Sequence, residues 1–477
     1  MAYRNLRDFL DTLTELDEVR RVSVEVDPVL EVAAITDRVC KTVGGGKALW
    51  FERLTGSPFP VVTNLFGSTR RICAALGVGD LEELTRRMER QLQMSSAPSL
   101  PEKLTALVRS PEYAGCSPLL VTEGECQQVM EREPDLDRYP VLKSWPGDGG
   151  PDNPGRFITL PLVFTRDPAT GRTNCGMYRV ELLGPSTVAI HWGATRGGAS
   201  HYEQYRLRGE PMPVAIAVGG DPAVILSASL PLPEPLEEMQ FAGFLRRQPV
   251  EMVRCLTSEL RVPAGAEIVI EGYLTPGELV RGGAFGNHTG HCVPGGEVPL
   301  MHVTAISRQT DCIYPATVVG RPPMEDCYLA RAWERLLVPL LRVAVPGVKD
   351  IFLPFEGIFH GCAVVAIDKT HSDHPREVMK ALWEGNWLGE GRLIVVVDGD
   401  EDPADLSSVA WRAFNAVVWE RDIVFGENMT EDGKGCRLGI DATRKGEDGG
   451  ERHVSAPLAH DPAVVERVKR RWQEYGL

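Results

Sequence analysis

The chain has 477 residues, 43% of them hydrophobic and 25% charged, enough to bury a large core and to divide into roughly two to four domains. Its 51 basic and 66 acidic residues leave a formal net charge of −15, which argues against broad attraction to nucleic acid or anionic membrane but leaves room for a local phosphate pocket. The eleven cysteines are odd in number, scattered and never spaced Cys-x-x-Cys, a pattern of reduced thiols. The opening Met1-Ala2-Tyr3-Arg4-Asn5-Leu6 lacks the apolar core of a signal peptide, and no stretch approaches the roughly 18 apolar residues of a membrane span. A cytoplasmic protein is expected.

In chain order, Leu6, Phe9, Leu10, Leu13 and Leu16 recur at helical spacing and predict an amphipathic opening helix. A second helix is expected around 28–41. The turn Gly44-Gly45-Gly46 then leads to short strands at 48–51 and 60–62, and alternating helices continue to about Ser110, together a small α/β domain. From 117 to 310 the runs 157–160, 188–190, 214–218 and 267–270 are short, apolar and separated by Gly and Pro, which predicts a barrel-like or sandwich domain. Beyond 311, strands at 363–367 and 393–397 alternate with helices at 375–384 and 406–419, a second α/β unit. The last helix opens with Asp461 as N-cap and Pro462 at its first position, and carries an apolar stripe of Val464, Val465, Val468 and Trp472 suited to a partner subunit or to its own domain. There is no internal repeat or low-complexity tract.

Three local patterns invite a phosphate-loop or metal reading, and each is better read otherwise. Gly44-Gly45-Gly46-Lys47 is followed by Ala48 and lacks phosphate-loop spacing, so it reads as a turn before a strand. Asp398-Gly399-Asp400-Glu401-Asp402 follows an apolar strand, where an acidic turn is commoner than a metal site. His288 and His291 fall one residue short of the helical zinc pair and have no third ligand nearby, so a substrate-facing or proton-transfer role suits them better.

What spacing leaves open, resemblance narrows. Leu6-Arg7-Asp8-Phe9-Leu10, Val26-Asp27-Pro28 with Glu31, and Asn64-Leu65-Phe66-Gly67 come first. Asn174-Cys175-Gly176-Met177-Tyr178-Arg179, Arg196-Gly197-Gly198, Leu230-Pro231-Leu232-Pro233 and Glu271-Gly272 follow. Gly320-Arg321-Pro322-Pro323, Leu353-Pro354 with Glu356-Gly357, and Gly439-Ile440-Asp441-Ala442-Thr443 complete the series. In that order they resemble the UbiD and ferulic acid decarboxylase family of prenylated-FMN enzymes across nearly the whole chain.

The resemblance implies an α+β, multi-domain fold: an α/β domain over 1–116, a central split β-barrel binding prenylated FMN over 117–310, and a C-terminal α/β domain over 311–477 whose terminal helix serves oligomerisation. It implies a divalent ion, Mn2+ or Mg2+, held against the flavin phosphate by Asn174, His201 and Glu238, with Glu237 a close competitor for the last place, and a monovalent cation such as K+. The donor set of amide, imidazole and carboxylate suits a fairly hard ion. Met177, Tyr178, Arg179, His191, Trp192, Gly193, Arg196, Gly197 and Arg437 would complete the cofactor cradle. A UbiX-like prenylated-flavin synthase would supply the cofactor, and the assembly would be a homodimer or homohexamer.

By the same resemblance, the cofactor accepts the electrons left by departing CO2 while the protein positions the carboxylate and manages one proton. Arg179 would orient the substrate carboxylate with two parallel hydrogen bonds. Family members typically carry Glu-Gly-Pro-aromatic-Gly-Asp/Glu, whose acids pair with this arginine and donate the proton. Here the stretch is Gly282-Gly283-Ala284-Phe285-Gly286-Asn287, and both acids are absent. An amide does not titrate near neutrality, so Asn287 cannot serve as a general acid. The proton then comes from His288, His291, Glu278 or a water ordered by Asn287; alternatively, the chain runs modified prenylated-FMN chemistry or binds the cofactor without turnover. The expected reaction is non-oxidative, reversible decarboxylation of an aromatic, heteroaromatic or α,β-unsaturated acid, with Arg321, Met324, Tyr328 and His360 as pocket residues by family context.

Overall fold

The computed structural model describes residues 2–151, 153–193, 197–385, 387–388, 391–426, 437–445, 458 and 460–476. By backbone contacts the chain divides into two compact units, one formed by 1–346 with 351–363 and the other by 347–350 with 364–477.

The first unit opens as its periodicity predicts. Leu6–Glu15 is a helix that buries Leu6, Phe9, Leu10 and Leu13, with the Asn5 side chain accepting from Asp8 N at its start. The strands Val19–Val26, Ala48–Leu54 and Val61–Thr63 form a sheet with Tyr314–Pro315. The Gly44–Gly46 turn before Ala48 has positive φ throughout, and a Cβ at Gly45 would lie 1.8 Å from the Gly67 carbonyl oxygen. Glycine is required there by the backbone rather than by a ligand.

A nine-stranded antiparallel sheet forms the centre of this unit. Along it run Arg156–Ile158, Arg179–Gly184, Thr187–His191, Glu297–Arg308, Ile268–Arg281, Met212–Val218, Pro161–Arg166 and Thr173–Gly176, with Val129–Glu131 added on Glu297–Arg308. The predicted strand 157–160 ends at Ile158, because Thr159 and Leu160 bend ahead of Pro161. That bend joins the first strand of the sheet order to the seventh. Three residue steps span at most about 11 Å, so the sheet must curl until its ends approach, a half-barrel rather than a plane. Val214 to Val218 are buried without alternation, as befits a central strand covered on both faces, and the inner residues join one core with Phe51 and Val61 of the first sheet. The long helix Glu325–Ala344 packs on Glu82–Gln93 and Thr69–Leu76, and Glu325 Oε1 accepts from Phe66 N at 2.7 Å.

The second unit is a five-stranded sheet in the order Val348–Phe352, Cys362–Ile367, Leu393–Asp398, Arg437–Asp441, Ile423–Gly426, with the helices His374–Glu384 and Leu406–Ala416. The helix expected over 406–419 stops at Ala416. Val417 and Val418 are extended, and a short helix restarts at Trp419, with Asp422 accepting from Val418 N. Asp398, Asp400 and Glu401 of the acidic turn pair with Arg444, and Glu401 also with Arg412. Asp461 caps the helix Pro462–Arg470, whose Val464 and Val465 are exposed. The cysteines among the described residues are all free thiols, and no helix among them is long and apolar enough to cross a membrane.

Candidate active site

The hairpin Pro161–Arg166/Thr173–Gly176 sets Asn174 directly across from Thr165. Thr165 Oγ1 lies 2.9 Å from His201 Nδ1, so the helix Gly197–Arg208 delivers His201 to the same hairpin with Nε2 left over. Glu238 is the first residue of the helix Glu238–Arg246, and its Oε2 accepts from Cys175 N at 3.3 Å. Glu237, the N-cap, turns instead to Arg172 at 3.9 Å and stays partly exposed. The backbone thus separates two carboxylates that are neighbours in sequence. Burial raises the Glu238 carboxyl above its ordinary range and lowers His201. Among the described residues no group of three His, Cys, Asp or Glu side chains is arranged to hold a metal. A set of one amide, one imidazole and one carboxylate falls outside that pattern.

A second cluster adjoins this one. Asn174 Nδ2 donates to the Tyr178 hydroxyl at 3.2 Å, and Gly198 N donates to the same oxygen at 3.2 Å. Tyr178 meets Trp192 edge-on with ring centroids 5.7 Å apart, and Trp192 touches Tyr202. A Cβ at Gly197 would lie 2.2 Å from Asn174 Oδ1, and one at Gly198 would be 3.0 Å from both Trp192 and Tyr178. Bare backbone at the start of a helix, beside an amide and an aromatic wall, suits an anionic group. Met177 N is tied to the Ala228 carbonyl, and Gly193 is exposed. Arg196 lies outside the described residues. Arg437 stands in the second unit and donates to the Trp383 carbonyl at 3.2 Å.

Arg179 starts the strand after Tyr178, with His191 as its cross-strand partner. Its guanidinium lies over Phe285 at 4.6 Å and Phe157 at 5.6 Å from the ring centroids, and donates no hydrogen bond to a described residue. Burial lowers its pKa to about 10, against the opposing pull of Asp148 and Asp326. Both oxygens of Asp148 are used: they accept from Gly286 N, Trp145 N and Ser144 N, fastening the short strand Phe285–Gly286. Asp326, second residue of the helix Glu325–Ala344, has its Oδ2 buried without a hydrogen-bond partner among the described residues, and burial raises its carboxyl to about 7. At Asp326 itself burial dominates, with the neighbouring Glu325 raising the carboxyl further and hydrogen bonding to Cys327 pulling it down. Sequence spacing gave no sign of Asp326, because its burial depends on where the helix docks.

The other residues singled out in sequence fall in different places. Asn287 Oδ1 accepts from His288 N at 2.6 Å, while His288 Nε2 lies 2.6 Å from His360 Nε2 with Phe359 alongside. Arg321 is exposed behind Gly290, Met324 packs with Trp145, Ala33 and Cys40, and Tyr328 lies edge-on to Phe355. Glu278 pairs with His302 at 2.8 Å on a partly exposed sheet face, and His291 is exposed. A cleft of about 810 Å3 lined by Glu83, Arg87, Arg90 and Arg247, among others, contains none of these residues.

Three family models cover most of the chain in order: the 3-octaprenyl-4-hydroxybenzoate carboxy-lyase N-terminal domain over residues 10–90, its Rift-related domain over 120–322 and its C-terminal domain over 327–442. The chain belongs to the UbiD family. Among curated relatives, uncharacterised proteins of Archaeoglobus fulgidus and Aquifex aeolicus are 38% and 39% identical, covering 99% and 100% of this chain and 99% of each relative. Among solved structures, an evolved dimeric form of the UbiD-class enzyme HmfF from Pelotomaculum thermopropionicum, in complex with prFMN, is 28% identical with a TM-score of 0.79, covering 95% of this chain and 97% of that one. Vanillic acid decarboxylase of Sedimentibacter hydroxybenzoicus, in closed form, shares the fold at 23% identity, with a TM-score of 0.85 over 100% and 99% of the two chains. The chain is thus a UbiD-like carboxy-lyase on a mixed α+β, multi-domain fold built around the curled half-barrel.

Proposed function

We propose that this UbiD-family chain catalyses the non-oxidative, reversible decarboxylation of an aromatic, heteroaromatic or α,β-unsaturated carboxylic acid with prenylated FMN and a divalent cation, Mn2+ or Mg2+. The observation that carries the reading is the run Asn174 to Arg179. It joins a polar cluster beside glycine backbone to a half-buried guanidinium that donates no hydrogen bond to a described residue. The residues suit the cofactor: Gly197 and Gly198 leave backbone amides bare at a helix start, and Asn174, His201 and Glu238 offer oxygen and imidazole donors around one hairpin. When bound, the prenylated flavin supplies the electron sink for the departing carboxylate's bond pair.

The chain's own residues do the rest. Arg179 binds the substrate carboxylate with paired N–H donors, and its depressed pKa leaves it fully charged at neutrality. Phe157 and Phe285 flank the guanidinium, keep water from it and offer ring faces for an aromatic acid to stack on. His288, beside Asn287 and linked to His360, is one candidate proton donor. A cofactor-binding homologue without turnover is the second reading, favoured by the absence of acids at Gly282 and Asn287. We take 1–116, 117–310 and 311–477 as the working domains of a cytoplasmic homodimer or homohexamer, supplied by a UbiX-like synthase and containing a monovalent cation such as K+. The test is holo-protein made with such a synthase and offered hydroxybenzoates, vanillate, furan carboxylates and cinnamates. Release of CO2 from one of them, lost in Arg179→Ala, supports catalysis; inertness of flavin-loaded protein towards the whole panel leaves the binding-only reading.

A further inference from the structure

Gly282 and Gly283 are more than the site of two missing side chains. A Cβ at Gly282 would lie 2.5 Å from His191 Cε1 and 3.0 Å from His191 Nε2, and one at Gly283 would lie 2.5 Å from Glu181 Oε1 and 2.6 Å from Gly149 Cα. The space where an acid at 282 would begin is filled by an imidazole, and the space beside 283 by a carboxylate.

These two side chains form a pair of their own. His191 Nε2 lies 3.0 Å from Glu181 Oε2, and the same oxygen accepts from Gly283 N at 2.8 Å. Glu181 is fully buried, and its Oε1 has no hydrogen-bond partner among the described residues. Glu181 follows Arg179 by two on one strand, hence on the same face, and His191 is the cross-strand partner of Arg179. The imidazole also meets Phe157 and Phe285 with ring centroids 5.8 and 5.3 Å apart, the same two rings that flank the guanidinium. Its Nδ1 makes no hydrogen bond to a described residue. A carboxylate on Nε2 fixes the proton there and the ring's orientation, leaving Nδ1 as the working nitrogen.

We propose that the Glu181–His191 pair is the proton-transfer device of this site, with His191 as the catalytic acid, Glu181 as its positioning residue, and Gly282 and Gly283 as the vacancies that admit them. The proposal rests on the decarboxylase reading above. In the step, the bond from carbon to CO2 breaks with its electron pair retained on the carbon side. That pair takes the proton of a protonated His191 at Nδ1, a C–H bond forms, and the neutral ring is recharged from solvent. Nε2–H stays on Glu181 throughout. The exchange of an acid at 282 for this pair is then one coupled change: the acid and the ring cannot both be present.

Two measurements test it. On cofactor-free protein, Gly282→Ala lowers Tm by several degrees, while in a His191→Ala background the same change costs little; equal losses in both backgrounds overturn the mutual exclusion. On holo-protein, with whichever acid of the panel the unmodified chain decarboxylates, His191→Asn lowers kcat about 10²- to 10⁴-fold with the flavin spectrum kept. Added imidazole partly restores turnover to His191→Ala, and Glu181→Gln lowers kcat with KM little changed. Undiminished turnover in His191→Asn, or loss of turnover in His288→Asn alone, overturns the proposal while leaving decarboxylation standing. An unmodified holo-protein inert towards the whole panel overturns the decarboxylase reading itself, and this proposal with it.

Discussion

Arg179 and Asp326 are two charged groups whose surroundings set opposite expectations. The Arg179 guanidinium donates no hydrogen bond to a described residue and contributes only its ring contacts, so Arg179→Ala should leave stability within about 1 kcal/mol. It should cut CO2 release at least about 10²-fold, because the carboxylate loses its anchor. Chemical denaturation beside a turnover assay separates the two effects. Asp326 is the reverse case: burial lifts its pKa from the unfolded value of 3.8 to about 7. The folded chain therefore holds the proton more tightly than the unfolded one, and the contribution is fully present below the unfolded pKa and lost as pH rises towards 7. Asp326→Asn should match the unmodified protein near pH 4 and exceed it by a growing margin, on the order of 1–3 kcal/mol by pH 8, in urea titrations at each pH. At this scale the sequence was legible where a motif spoke. Asn174 and Arg179 could be named from six consecutive residues, whereas Glu181, two positions on, could not. Its role depends on strand register and on the vacancies at Gly282 and Gly283, neither of which leaves a periodic signal.

Among the elements, the decisive contact is the packing of the helix Gly197–Arg208 on the hairpin that carries Asn174. A methyl group at Gly197 would stand 2.2 Å from Asn174 Oδ1, so Gly197→Ala must push the amide or the helix aside. The expected outcome is at least a tenfold fall in flavin absorbance per protein after loading, with a modest change in Tm. The turn at Gly45 behaves otherwise: its φ is +83° and its Cβ would collide with backbone, so Gly45→Ala should cost about 2 kcal/mol or more. Gly44→Ala, with φ +76° and open space around it, should cost about 1 kcal/mol in the same denaturation experiment. Helices and strands were legible from their periods; their ends were less so. The strand expected to reach Leu160 stops at Ile158 ahead of Pro161, and the helix expected to reach Trp419 stops where Val417 and Val418 extend. In the sequence Glu238 is preferred to Glu237 only by its distance to Ala242-Gly243; in the fold Glu237 is the N-cap and Glu238 accepts from Cys175 N on the hairpin.

Over the whole molecule, the half-barrel follows from one short bend that joins the first and seventh strands of a long sheet order, a feature that no local pattern in the sequence discloses. The order of the family's motifs was legible from end to end, and the three family models fall in that same order. A chain of net charge −15 binding a phosphorylated anion needs a local cation to do so. Chelation of the holo-protein should accordingly release most of its flavin, and Mn2+ should restore retention, while Glu238→Ala should be insensitive to both treatments. Cofactor binding is measured most directly by the mass of the flavin extracted from protein made together with an active prenylated-flavin synthase. Prenylated FMN at near-equal molar amount, absent from Asn174→Ala prepared the same way, is the expected result. Unmodified FMN alone, or no flavin at all, would contradict it.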